Sequence, residues 1–371
     1  MNSFFKTADT LKQGARALPQ KYYTDNSILK KEMAKIFSSN WLCCGRGDDI
    51  LNPGQYKLIN ILNESIIILR DDNYKLSAFY NVCRHRGTRI CTKEWGEFSK
   101  SIQCPYHGWT YDLQGKLSGT PNMNAVENFN KDDYPLHLVK LIEWEGFIFI
   151  NLSNKPRAFH LEYEPINKCF TEWGMADLKT IDTKIYHANC NWKLIVQNYS
   201  ECYHCPLIHP SLADLTPYTG GRNNFVSGQF LGGYMEMKSP SITNDGKLCG
   251  PLLGNLSDKN LSRVYYYSLF PNMLLSLYPD YIMFHTIWPN GTEKCTINCS
   301  WLFSNKLENN SVFHPEQAID FWDKTNLEDW KICEQSHLGI KSKKYKPGPF
   351  SGQESLLASY DEYYLSVLNK N

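Results

Sequence analysis

Two short stretches constrain this chain more than anything else in it: Cys83-Arg84-His85-Arg86-Gly87 and Cys104-Pro105-Tyr106-His107-Gly108-Trp109. Each pairs a thiol with an imidazole at ligand spacing, and both fall in one small segment. Thiolates suit iron–sulfur clusters, and in one cluster class imidazoles replace two of them. Cys83 and Cys104 on one iron, with His85 and His107 on the other, is Rieske [2Fe–2S] ligation. The competing reading is zinc. Zinc sites of the Cys2His2 kind place their cysteines together and then their histidines, whereas here a Cys–His pair occurs twice.

At 371 residues the chain has room for two domains. Lys and Arg number 39 against 38 Asp and Glu, so no basic excess points to a nucleic-acid partner. No apolar stretch is long enough to span a bilayer, and the first residues lack the apolar core of a signal peptide. The expected location is the cytoplasm, without a membrane anchor. The 13 cysteines are odd in number and scattered, which argues against a disulfide framework. Cys43, Cys44, Cys190, Cys202, Cys205 and Cys333 are expected as small buried residues.

Residues 27–39 alternate charged and apolar positions at helical spacing. From Gly54 the pattern changes to short strands: Tyr56–Asn60, Ser65–Arg70, Leu76–Asn81, Ser101–Cys104, Trp109–Leu113 and Gly146–Leu152. The cluster motifs sit in loops of this all-β segment, residues 40–155. A second domain, 156–371, reads as α+β with an antiparallel sheet. Its expected elements are a helix over Asn191–Cys205, strands over Arg263–Leu269, Met273–Leu277, Tyr281–Trp288 and Cys295–Phe303, and a long helix over Pro315–Gly339. Residues 1–39 are expected to pack on this second domain.

The stretch Asn191-Trp-Lys-Leu-Ile-Val-Gln-Asn-Tyr-Ser-Glu-Cys-Tyr-His-Cys-Pro-Leu-Ile-His-Pro carries a second constellation. On a helix Glu201 and His204 share a face, while His209 points about 140° away from His204. Pro206 is expected to break the helix between them and let both imidazoles meet. Two histidines and one carboxylate with open positions form the facial triad of non-haem Fe(II) oxygenases. The last long helix offers Asp320, Asp323, Glu328 and Asp329. Periodicity leaves the choice open: Asp329 shares a face with Trp322, Asn326 and Cys333, and Asp323 with Ile319, Leu327 and Trp330.

With these motifs the whole chain resembles the α subunit of a Rieske non-haem iron oxygenase, the aromatic-ring-hydroxylating dioxygenase family. The resemblance runs from Leu18-Pro-Gln-Lys-Tyr-Tyr-Thr-Asp through both cluster motifs to Asn191-Trp-Lys and the last helix. Respiratory Rieske proteins resemble Cys-Thr-His-Leu-Gly-Cys and Cys-Pro-Cys-His, with a disulfide beside the cluster. Thr88 and Tyr106 stand at those positions here. The resemblance implies a helix-grip catalytic domain, a homotrimer, and electron transfer between neighbouring subunits. A Glu-Asp step followed by Glu in the last helix supplies the family's carboxylate ligand, which selects Asp329 from Glu328-Asp329 and Glu334. Gln197 departs from the Glu common in relatives and is expected to alter a hydrogen bond rather than a ligand.

Most ring-hydroxylating members place Asp three residues before the first iron histidine, as a bridge to the neighbouring subunit's cluster. Glu201 in that place resembles the branch acting on quaternary ammonium compounds such as carnitine, glycine betaine and choline. Aromatic residues Tyr265, Tyr266, Tyr267, Phe270, Tyr278, Tyr281, Phe284, Trp288 and Trp301 cluster in the strand region. Aromatic faces attract such cations, though strands are aromatic-rich in any case. His187 and His285 read as structural. The implied activity is that of a terminal oxygenase using dioxygen on a small substrate, by N-demethylation or C–N cleavage. An aromatic ring hydroxylase and a Rieske electron carrier are the alternatives. No Gly-rich dinucleotide motif is present, so a flavin and iron–sulfur NAD(P)H reductase is implied as partner.

Overall fold

The computed structural model describes residues 3–61, 63–305 and 313–370. It divides into two compact units, Trp41–Pro156 and a second made of Met1–Asn40 with Arg157–Asn371.

The first unit is all β. Runs rich in Ile, Leu and Tyr form strands Gln55–Ile61, Glu64–Arg70 and Leu76–Tyr80, paired antiparallel in sequence order. They lie in a seven-stranded sheet, beside a small three-stranded sheet of Ile102–Gln103, Thr110–Tyr111 and Leu117–Gly119. Cys83 and Cys104 belong to the same buried cluster as Ile67, Leu69, Phe79 and Trp109. Burial of that apolar surface anchors both motif loops; each side chain of this size contributes about 1.5–3 kcal/mol.

The second unit is built on an eight-stranded antiparallel sheet. Its centre is a meander of Arg263–Leu269, Met273–Leu277, Ile282–Pro289 and Cys295–Phe303. Lys179–Ala188 pairs with the last of these. The long helix Glu316–Ile340 buries Ile319, Trp322, Asn326, Trp330, Cys333, His337 and Ile340, a stripe at helical period. It crosses the sheet through Trp322 Nε1 to Tyr281 Oη (2.7 Å) and through Asp323, which accepts from Lys184 Nζ (2.7 Å) and Tyr186 Oη (2.6 Å).

Helix Trp192–Tyr199 is capped by the Asn191 side chain, which accepts from Lys193 N–H (3.2 Å). Buried Glu32 fixes its first turn, accepting from Lys193 Nζ (2.6 Å), Trp192 Nε1 (3.0 Å) and Tyr364 Oη (2.5 Å). The Glu32–Lys193 pair is buried, so removing one partner costs about 3–5 kcal/mol. Gln197 donates to Asp361 Oδ1 (2.6 Å). Asp361 is pushed up to about 7 by burial, against the pull of Gln197 and Lys193. A Glu at position 197 would set a second carboxyl against it.

The helix expected over Asn191–Cys205 ends at Tyr199, and Pro206 sits in the first turn of a separate short helix, Cys205–Ile208. Pro206 therefore starts a helix where it was expected to break one. The break comes earlier because Ser200 Oγ turns back onto Val196 C=O (2.6 Å) and the Glu201 carboxylate takes the N–H groups of Tyr203 and His204 (3.3 Å for the latter). Side chains that bond the nearby backbone compete with helix continuation. Cys202 and Cys205, expected as buried thiols, form a disulfide instead. A turn from Cys205 N–H to Cys202 C=O (3.2 Å) brings their Cα atoms to 5.0 Å, within disulfide range.

Candidate functional site

The two cysteine–histidine loops share one backbone design. Cys83 N–H bonds Thr88 C=O (2.9 Å) and Gly87 N–H bonds Cys83 C=O (3.0 Å). Cys104 N–H bonds Trp109 C=O (2.8 Å) and Gly108 N–H bonds Cys104 C=O (3.2 Å). Gly87 and Gly108 close the turns at φ +77° and +68°, a region that suits glycine. Both cysteines are buried, and both histidines are exposed at the loop tips. The His85 and His107 rings stand 4.7 Å apart; His85 stacks on Trp109 (4.8 Å) and His107 on Tyr106 (3.7 Å). Tyr111 Oη accepts from Arg84 N–H (3.0 Å) and lies 3.4 Å from Cys83 Sγ, where either atom can donate; a ligating Cys83 thiolate would take the hydroxyl proton.

His204, His209 and Asp329 meet although they lie on different elements. His209 Nε2 is 2.7 Å and His204 Nε2 3.3 Å from Asp329 Oδ1. Among the described residues this is the one group of three or more such side chains whose ligating atoms lie within single-ion reach, all within 4.8 Å of one another. The four cysteine and histidine residues of the first unit do not form such a group. Buried thiols on one side and exposed imidazoles on the other fit a binuclear cluster better than a single zinc.

Each imidazole near Asp329 is held from behind by a second carboxylate. His204 Nδ1 bonds Glu201 Oε1 (2.6 Å), and His209 Nδ1 bonds Glu328 Oε2 (2.7 Å). A proton on each Nδ1 leaves the Nε2 lone pair free for a metal. Burial lowers the His204 pKa, but bonds to Asp329 and Glu201 outweigh it and lift it to about 10. Burial raises the Asp329 carboxyl, and the two imidazoles overcome this and hold it below its usual value. Asp323 lies elsewhere, with Lys184 and Tyr186, and Asp320 is exposed.

A cavity of about 130 Å³ opens onto this triad. Its aromatic wall includes Tyr199, Tyr218, Tyr234, Tyr266, Trp322 and Trp330. Of the strand aromatics singled out from the sequence, Tyr266 alone is in this wall. Strand alternation turns Tyr265 and Tyr267 to the other face, against Trp173 and Phe170. His285, read as structural, also lines the cavity and bonds Asn326 Oδ1 (3.3 Å). Glu328's contact with His209 and the place of Tyr199 in the wall had no signal beyond their position next to Asp329 and near Glu201.

Residues 40–130 match the Rieske [2Fe-2S] domain. Residues 175–370 match the ring hydroxylating alpha subunit (catalytic domain). The chain belongs to the ring hydroxylating alpha subunit family. It is a Rieske non-haem iron oxygenase, with a [2Fe–2S] cluster and a mononuclear iron as cofactors. It is similar to the glycine betaine monooxygenase oxygenase subunit of Pseudomonas aeruginosa, 29% identical over 98% of this chain and 93% of that one. The carnitine monooxygenase oxygenase subunit of Escherichia coli K12 is 35% identical over 54% of each. The solved quaternary ammonium Rieske monooxygenase CntA in complex with L-carnitine shares the fold, with a TM-score of 0.79 at 23% identity over 96% of each chain.

Proposed function

We propose that this oxygenase acts on a small quaternary ammonium compound, with Cys83, Cys104, His85 and His107 holding the cluster and His204, His209 and Asp329 the iron. One observation carries the reading: the triad lies at an aromatic-walled cavity of small volume. Each suitably placed ring attracts a quaternary ammonium group by about 0.5–2 kcal/mol. The relatives named for glycine betaine and carnitine point the same way.

When bound, the cluster supplies single electrons and the iron supplies a place where dioxygen is reduced. The residues do the rest. His204, His209 and Asp329 would hold the ion beside the cavity, from which substrate would approach. Glu201 and Glu328 fix the two imidazoles in the tautomer that ligates. The aromatic wall sets a C–H bond next to nitrogen toward the triad and excludes water. Overall, an N-methyl ammonium group, dioxygen, two electrons and two protons give an N-hydroxymethyl ammonium group and water. That product then falls apart: its C–N bond breaks, the hydroxyl proton moves to nitrogen, and a protonated tertiary amine and formaldehyde remain. Oxidation on a longer arm cleaves C–N instead.

The electrons come from a separate flavin and iron–sulfur NAD(P)H reductase, in the cytoplasm. No helix among the described residues is long and apolar enough to cross a membrane. Three copies assemble so that Glu201 links a neighbour's cluster to His204. Support comes from Tyr203 and Leu207 beside it, which are 55% and 87% exposed for large side chains. The test is oxygen uptake with a surrogate reductase against betaines, carnitine, choline and aromatic acids. Uptake with an ammonium compound is expected. Uptake with aromatic acids alone would make the protein a ring hydroxylase.

A further inference from the structure

The segment before the first helix reaches across the second unit to the cavity. Phe5–Lys6 adds a short strand to the sheet, antiparallel to Arg222–Phe225, with Phe5 opposite Asn223 and Lys6 opposite Arg222. The next residue is fastened on two sides. Thr7 N–H bonds Gly221 C=O (3.2 Å), and Thr7 C=O accepts from Ser355 Oγ (2.7 Å). The Thr7 hydroxyl oxygen accepts from Asn223 Nδ2 (2.9 Å). Phe4 packs edge-on against Tyr234, with ring centroids 4.9 Å apart. Two glycines leave space for this strap. A Cβ on Gly221 would stand 2.5 Å from Thr7 Oγ1, and one on Gly352 would stand 3.3 Å from Ala8. Gly221 has φ −56°, open to any residue, so its missing side chain serves the close approach rather than the backbone. Thr7, Gly221, Asn223, Tyr234 and Gln353 line the same cavity as His204 and Asp329.

We infer that residues 4–7 are a wall of the substrate cavity and that Thr7 is a specificity-determining residue, whose side chain limits the length of substrate the cavity takes. Asn223 holds Thr7 Oγ1 and Gly221 gives it room, so both are positioning residues. A packed wall resists extra atoms, and a truncated one admits them. The inference rests on the quaternary ammonium reading for its substrate class and adds to it a residue that sets length.

The test is calorimetric binding of linear alkyltrimethylammonium ions, from methyl to octyl, to the holoenzyme without oxygen, so that nothing turns over. Each methylene buried tightens binding by about fourfold, and the rise stops where the chain meets the wall or leaves the cavity. The variants are Thr7→Ala and Thr7→Trp, each checked for an unchanged Rieske signal and iron content. Thr7→Ala is expected to lengthen the chain at which the rise stops by about one carbon, and Thr7→Trp to shorten it by about two. Tetramethylammonium should bind both variants within about twofold of wild type. If Thr7→Trp loses its Rieske signal, Thr7→Ala alone decides. The same stopping length in the variants and the wild type overturns the inference and leaves the ammonium reading standing. If no member of the series binds the wild-type protein, the ammonium reading itself fails and takes the inference with it.

Discussion

His85 and His204 are both proposed iron ligands, yet their surroundings differ in sign. His85 is exposed beside His107 and Arg86; slight burial and these two groups push its pKa down. His204 lies between Glu201 and Asp329 and is lifted to about 10. The charge each site must hold accounts for the difference. A [2Fe–2S] cluster with two thiolates is neutral when oxidised and an anion when reduced, so cationic neighbours suit it. A ferrous ion on two neutral imidazoles is a cation, so carboxylates suit it. One side chain serves both sites because its neighbours, rather than the ring, set its behaviour.

The largest effects should come from the proposed ligands. His204→Ala and His209→Ala are expected to abolish substrate-dependent oxygen uptake while the Rieske paramagnetic signal persists. Cys83→Ser is expected to remove that signal. A cluster signal lost in His204→Ala would mean that the two sites are not independent.

Glu201→Gln comes next. An amide has one acceptor oxygen and one NH2 donor, so it cannot accept N–H bonds at both ends as a carboxylate does. Both metal centres should remain, and electron transfer from the reduced cluster on adding substrate and oxygen should slow by roughly 10–100-fold, an expectation from the loss of an outer hydrogen-bond partner. Wild-type rates in stopped flow would remove the bridge. Glu328→Gln should act more mildly, weakening iron affinity by about 10–100-fold, as measured by chelator competition; unchanged affinity would make the Glu328–His209 bond incidental.

On the cluster side, Tyr111→Phe removes the hydroxyl 3.4 Å from Cys83 Sγ, which would donate to that sulfur as a ligating thiolate. Hydrogen bonds to the sulfurs stabilise the reduced, more negative cluster, so the variant's reduction potential should fall. An unchanged potential would mean that the hydroxyl does not reach the sulfur in the loaded protein.

The smallest effect on catalysis should come from Asp361. Its folded pKa of about 7 lies above the ordinary 3.8. The native state then holds the proton more tightly than the unfolded state. The stability this gives is complete below about pH 4 and is lost as pH rises through 7, by up to about 4 kcal/mol. Asp361→Asn should flatten that decline in denaturant unfolding curves. A slope that survives in the variant would place the titration elsewhere.

The two sites were also unequally legible in the sequence. The proposed cluster ligands lie in two adjacent loops, so spacing alone exposed them. The proposed iron ligands do not. His204 and His209 were visible in one stretch, but the helix drawn through Glu201 and His204 is absent. Propensity gave no notice that Ser200 and Glu201 bond the nearby backbone, or that Cys202 and Cys205 pair. Asp329 and Asp323 lie on the same helix, and periodicity could not choose between them. Only the third dimension shows Asp323 taken by Lys184 and Tyr186 and Asp329 meeting both imidazoles. The cavity wall was the least legible part. Strand alternation can say that Tyr265 and Tyr266 face opposite ways, but not which of them meets a cavity closed by residues from distant segments.

Iron content measured together with the Rieske signal in Asp329→Ala tests most directly the claim that two chemically distinct iron sites share this chain. The account predicts that the wild-type protein binds iron beyond the cluster's two atoms. Asp329→Ala should lose that extra iron and all turnover, with its cluster signal unchanged. Full iron content and turnover in Asp329→Ala, or loss of both when Asp323 is replaced instead, would contradict it.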